Sequence, residues 1–170
     1  MVRLLALAAA LLLAAPTLAP SAFAHEVTAG DIQIIHPHIP QPPASAKAAG
    51  GFMAIVNTGT EPDRLIGAES DIAMKVEVHE SKVDENGVGT MTPVEFIEIP
   101  PGGTVNLQHG GYHIMFMGLK AKLTEGEMHK GILIFERAGR VEIEFQIDPP
   151  TGQQGAAPMD HSSMGHGTGG

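Results

Sequence analysis

Cysteine is absent from all 170 residues. Packing alone must therefore hold the fold, even in an oxidising compartment. The absence excludes thiol–disulfide chemistry, cysteine zinc sites and blue-copper electron transfer, which needs a Cys thiolate. Basic charge is also scarce. Ten Lys and Arg face 19 Asp and Glu, for a net charge of −9 with neutral histidines. Such a balance argues against nucleic acid and against adhesion to anionic lipid. It suits a cationic partner or simple solubility. Nor does any stretch reach the ~20 apolar residues of a spanning helix, so an integral membrane protein is not expected.

The longest apolar run, Leu4 to Ala15, follows the short basic start Met1-Val2-Arg3 and precedes Ala22-Phe23-Ala24. That order is the pattern of a cleaved signal peptide. Residues 1–24 are read as this leader, which makes the protein periplasmic or secreted with a mature chain beginning near His25. Residues 25–148 are long enough for one domain with its own core.

Apolar residues recur with a period of two. Met74 to His79, Val94 to Ile99 and Val141 to Phe145 alternate, and Ile132-Leu133-Ile134-Phe135 suits a central strand. Asp84-Glu85-Asn86-Gly87 is a hairpin signal. Pro100-Pro101-Gly102-Gly103 and Gly110-Gly111 bracket a short strand from Thr104 to Leu107. Eight or nine strands in an all-β, antiparallel sandwich are expected, with a closed barrel as the alternative. Leu119 to Lys130 has room for one helical turn, which Gly126 disfavours. Pro37 to Pro43 reads as an extended crossing loop, because each proline removes a ladder donor. Residues 149–170, without Val, Leu, Ile or Phe, read as a disordered tail.

Chemistry concentrates in four side chains. His113 and Met115 are two apart in an extended stretch and point to one face, with Tyr112, Ile114 and Phe116 on the other. His79 closes one alternating run and Met91 opens the next segment, across the hairpin signal. Thioether sulfur is a soft, uncharged donor that suits Cu(I), and imidazole binds when neutral. Two of each would hold Cu(I) without proton competition at sulfur, loosely enough to release it. Each residue alone has a plainer reading: Met115 as core filler, either histidine as an ordinary strand residue.

The four together, with Glu80 after His79, resemble the H(M)x10Mx21HxM pattern of the periplasmic PCu(A)C copper chaperones. The surrounding Val78-His79-Glu80, Pro101-Gly102-Gly103 and Gly110 to Leu119 are similar to that family as well, as are His36-Pro37, Pro42 and Gly51-Phe52-Met53-Ala54. The resemblance covers roughly residues 25–148. It implies a cupredoxin-like Greek-key β-sandwich that binds Cu(I) through His79, Met91, His113 and Met115, with no catalysis. It further implies delivery of copper to the copper-A centre of cytochrome c oxidase, on subunit II directly or through a thioredoxin-like copper chaperone. A monomer is expected.

Other metal-binding candidates lie at the ends. Met159, His161, Met164 and His166 give the tail the composition of a metal-binding segment, suited to a second site for Cu(II). Cleavage would place His25 at the N-terminus, where amine and imidazole together chelate Cu(II). That supports a rival reading, an oxidative copper-brace enzyme in which His36, His38, His109 or His129 converges on His25. A further alternative keeps the Cu(I) site but assigns it to copper buffering or resistance, without a dedicated acceptor.

Overall fold

The computed structural model describes residues 26–150. The expected leader, His25 and the tail candidates Met159, His161, Met164 and His166 lie outside them. Every regular element among the described residues is a strand. The order is β1 (Glu26–Ala29), β2 (Ile32–Pro40), β3 (Ala48–Asn57), β4 (Asp63–Glu69), β5 (Ala73–Val83), β6 (Gly89–Pro93), β7 (Ile97–Ile99), β8 (Thr104–Leu107), β9 (Tyr112–Leu119), β10 (Met128–Phe135) and β11 (Gly139–Asp148). Hydrogen bonding follows the path β6-β5-β9-β3-β2-β11-β10-β4-β7, with β1 added on β2 and β8 on β3. No described helix is long and apolar enough to cross a membrane.

Strand β3 ties the two halves together. Its first residues, Ala48 to Gly51, pair with β9, and its later ones, Met53 to Val56, pair with β8. Along its other edge it pairs with β2. The core lies between the inward faces, where Phe116 of β9 meets Phe145 of β11 edge to face at 5.2 Å and 88°. Ile34, Ile39, Ile55, Leu65, Ile99, Ile114, Leu133 and Ile147 are fully buried around this pair. β-branched residues dominate that set, as a pleated, packed surface prefers. Gly51 permits the close approach of the halves, because a Cβ there would stand 2.8 Å from the Phe116 ring and 3.1 Å from that of Phe145.

Several expectations are met and others are corrected. The hairpin at Asp84 to Gly87 forms: Asp84 Oδ1 accepts the Asn86 and Val88 amides, and Gly87 takes φ 79°. Strand β8 runs from Thr104 to Leu107 as read. The segment after Leu119 forms no helix. It makes a turn in which Glu127 N donates to Thr124 O, before β10 begins at Met128. Only Ile97–Ile99 of the run from Val94 forms a strand.

The crossing loop expected at Pro37 to Pro43 is largely a strand. β2 continues to Pro40, with His38 opposite Phe52 of β3 and Ile39 opposite Ile147 of β11. Two features make room for the prolines. The β2–β3 register shifts between Ile35 and His38, so Pro37 falls where the ladder is interrupted, and Pro40 is the last strand residue. The pairing of β11 with β2 is parallel, the exception in an otherwise antiparallel assembly.

Candidate metal centre

Strands β5 and β9 pair so that His79 lies directly opposite His113, and Glu77 opposite Met115. Directly opposed residues share a face. The face is the one turned away from Ile114 and Phe116, which are buried in the core. The β5–β6 pairing sets Pro93 opposite His79 and Met91 opposite Ser81. The hairpin thus brings Met91 to the same face, one diagonal step from His79. Diagonal neighbours lie ~7–8 Å apart, within reach of a long side chain such as Met.

All four residues read from the sequence therefore share one face of a three-stranded unit. Their environments differ. His79 and His113 are buried, at 8% and 4% exposure, and their ring centroids are 5.8 Å apart. Met115 is half-buried, whereas Met91 is 52% exposed on the outermost strand. Phe52 of β3 roofs part of the site, its ring 4.2 Å from His109 and 6.3 Å from His113.

The hydrogen bonds assign the imidazole tautomers. Nδ1 of His113 lies 3.1 Å from the carbonyl oxygen of Gly111. A carbonyl only accepts, so Nδ1 bears the proton and Nε2 the lone pair. Nε2 of His79 lies 3.1 Å from Glu77 Oε2. Here Nε2–H donates to the carboxylate, and Nδ1 is left with the lone pair. His113 Nε2 and His79 Nδ1 are then the two buried side-chain atoms, among the described residues, that lack any hydrogen-bond partner.

Leaving a buried polar atom unpaired costs roughly 1–3 kcal/mol. Two such atoms on facing rings, each opposite a nitrogen already engaged, form the arrangement of metal-ligating histidines. There the second nitrogen is held by a carboxylate or carbonyl that fixes the tautomer. Burial also drives the pKa of His113 below the usual histidine value, against the opposing effect of the Gly111 hydrogen bond, with the charges of His79 and His109 adding to the depression. His113 is accordingly held neutral, the form that binds metal. The donor chemistry fits a soft monovalent ion.

Glu77 escaped the sequence reading. Its signal was its place two residues before His79, on the same strand face. Its other oxygen, Oε1, accepts from Lys75 Nζ at 2.6 Å, and the Lys75 and His79 hydrogen bonds lower the carboxyl pKa. Phe52 was legible only as part of an apolar run. His129, a candidate partner for His25, pairs with Glu127 at 3.2 Å.

This all-β sandwich of the cupredoxin-like kind thus turns two partnerless imidazole nitrogens and two thioethers to one face, a donor set of the sort that metal-binding domains use. A family model, LpqE-like, matches residues 32–147. The copper-bound PCuAC domain from PmoF2 superposes with a TM-score of 0.64 at 29% identity, covering 74% of this chain and 99% of that one. The solution structure of CuI-DR1885 from Deinococcus radiodurans gives 0.54 at 26% identity, covering 66% of this chain and 74% of that one. Lxx21020 of Leifsonia xyli subsp. xyli (strain CTCB07), named as a lipoprotein, is 41% identical over 90 residues, 49% of this chain and 54% of its own. The chain thus spans about half the length of that curated relative. It belongs to the LpqE-like family and, with it, to the PCu(A)C copper chaperones.

Proposed function

We propose that the chain carries a single Cu(I) ion between His79, Met91, His113 and Met115 and hands it to the copper-A centre of cytochrome c oxidase. Transfer goes to subunit II directly or through a thioredoxin-like copper chaperone. The protein acts as a monomer, without catalysis, in the periplasm after loss of residues 1–24. The observation that carries this reading is the pair of buried, partnerless nitrogens His79 Nδ1 and His113 Nε2. Support for copper comes from similarity to domains whose structures are copper-bound. Support for the monovalent state comes from the thioethers, which are soft donors.

The exposure of Met91 favours transfer over storage. A buffering protein gains from enclosing every ligand, whereas Met91 sits on an outer strand within reach of an incoming donor. A Cu(I) titration against a chromophoric chelator, with X-ray absorption on the product, tests the site. The expected result is one tightly held equivalent with a mixed nitrogen and sulfur shell. A shell without sulfur overturns the assignment. Mixing the loaded chain with an apo copper-A domain tests the role: copper should move to the acceptor, and retention would favour buffering.

A further inference from the structure

A second cluster of donors lies beside the first and plays no part in the Cu(I) reading. His36, His38 and Asp148 each offer one ligand atom, all within 4.8 Å of one another. Asp148 ends β11, and the parallel pairing of β11 with β2 sets it against Pro40, close to both histidines. Its carboxylate is buried, with the residue only 7% exposed, and Oδ2 lies 2.9 Å from His36 Nε2. A buried carboxylate needs a compensating positive group.

The backbone is strained at the same point. His36 has φ 50°, the one positive value outside glycine among the described residues. It stands in the irregularity that shifts the β2–β3 register between Ile35 and His38. A left-handed conformation at a non-glycine residue costs of order 1–3 kcal/mol, and such strain clusters at binding sites. The bulge brings the rings of His36 and His38 into a stack, with centroids 4.5 Å apart. His38 Nδ1–H donates to the His36 carbonyl at 2.9 Å, which leaves Nε2 of His38 as the nitrogen with a lone pair. The orientation of this ring is thus set by a second hydrogen bond, as in metal-ligating histidines generally.

We infer that His36, His38 and Asp148 form a second metal site, selective for a divalent ion of intermediate softness and above all Cu(II). The donors are two imidazoles and a carboxylate, with no sulfur, a set suited to Cu(II) or Zn(II) rather than Cu(I). Among divalent ions Cu(II) binds such donors most tightly. Ligand distances of ~2.0–2.2 Å around one ion require the three atoms to close in modestly, by side-chain rotation. On binding, His36 would keep its ring proton on Nδ1 and turn the Nε2 lone pair to the ion, and Asp148 Oδ2 would exchange its hydrogen bond to that nitrogen for the metal. Phe52 lies between the two centres, its ring 5.8 Å from His38 and 6.3 Å from His113. The site requires neither His25 nor the tail.

The test is titration of the full chain with Cu(II) alone, followed by electron paramagnetic resonance, beside an anaerobic Cu(I) titration of the same samples. The double variant His36→Gln/His38→Gln should lose one Cu(II) equivalent and its signal, while Cu(I) stoichiometry stays unchanged. The variant Met91→Ala/Met115→Ala should do the reverse, which separates failure of this site from failure of the Cu(I) assignment. Asp148→Asn keeps the side-chain size and keeps the question answerable if the double variant misfolds; it should weaken Cu(II) at least about tenfold. Cu(II) stoichiometry and spectrum unchanged in the double variant would place that ion elsewhere, on the tail or N-terminus, and overturn the site. So would unchanged Cu(II) affinity in a folded Asp148→Asn chain.

Discussion

His79 and His113 face each other across the β5–β9 pair, 5.8 Å between ring centroids, and each commits one nitrogen to the protein and leaves the other bare. Residues 34 positions apart in the chain are thereby made into opposite jaws of one clamp. The strands, rather than loops, hold both rings, so the spacing is set by sheet geometry before any ion arrives.

Glu77 should control that clamp without touching copper. Its Oε2 fixes the His79 ring through Nε2–H. Glu77→Ala should lower Cu(I) affinity by roughly 10–100-fold, the usual effect of losing an orienting partner, with one-to-one stoichiometry retained. Competition with a chelator measures the affinity. Glu77→Gln, which still offers an oxygen acceptor, should recover most of it. Equal losses in both variants would point to charge rather than orientation.

Thioethers and core can be told apart by stability. Met91 is mostly exposed and Met115 half-buried, both outside the central core. Met91→Ala/Met115→Ala should abolish Cu(I) binding while lowering apo stability by no more than about 2 kcal/mol, below the 2–5 kcal/mol typical of a core Met→Ala change. Paired chelator competition and urea unfolding check this. A large loss of apo stability would return Met115 to the role of core filler.

The depressed pKa of His113 has a definite sign in stability. The unfolded chain takes up a proton on this ring near the ordinary value of ~6.5, whereas the folded chain does so only at lower pH. Between those two values the unfolded state binds more protons, so apo stability rises with pH. It should fall as pH drops through ~6.5 and level off below the folded value. His113→Leu should remove this part of the pH dependence in urea unfolding followed from pH 7.5 to 5. The same ring should keep binding copper to a lower pH than an exposed histidine would. An unaltered pH slope in the variant would contradict the assignment.

Behind the site, Gly51 holds the halves together by having no side chain. Gly51→Ala would press a methyl group into the rings of Phe116 and Phe145. A cost of roughly 1–3 kcal/mol is expected, as for overpacking elsewhere, seen as a lower denaturant midpoint. Gly87→Ala, in open space at the hairpin tip, should show a smaller effect, traceable to its positive φ alone.

Much of the candidate face was legible because its signals are local. Alternation put His113 and Met115 on one side and Ile114 and Phe116 on the other, and turn chemistry at Asp84 to Gly87 folded Met91 back along β5. The His79–His113 register was not legible from local pattern, since it depends on which distant strands meet. Glu77 was hidden among ordinary alternating charges. Pro37 misled because a proline argues against a central strand unless a bulge absorbs it, and the bulge shows only in three dimensions. His36 and Asp148 are separated by 112 positions, and only the parallel docking of β11 on β2 brings them together.

The hairpin that carries Met91 has a neighbour on one side alone, since β6 pairs with β5 and ends the hydrogen-bonded path. For the proposed carrier this means release of its ion from the rim inward. Under the proposed role an acceptor's donor atom would take the place of the outermost sulfur while the two sunken rings still held the ion, one bond exchanged at a time, without loosening the sandwich of packed phenylalanines and isoleucines beneath.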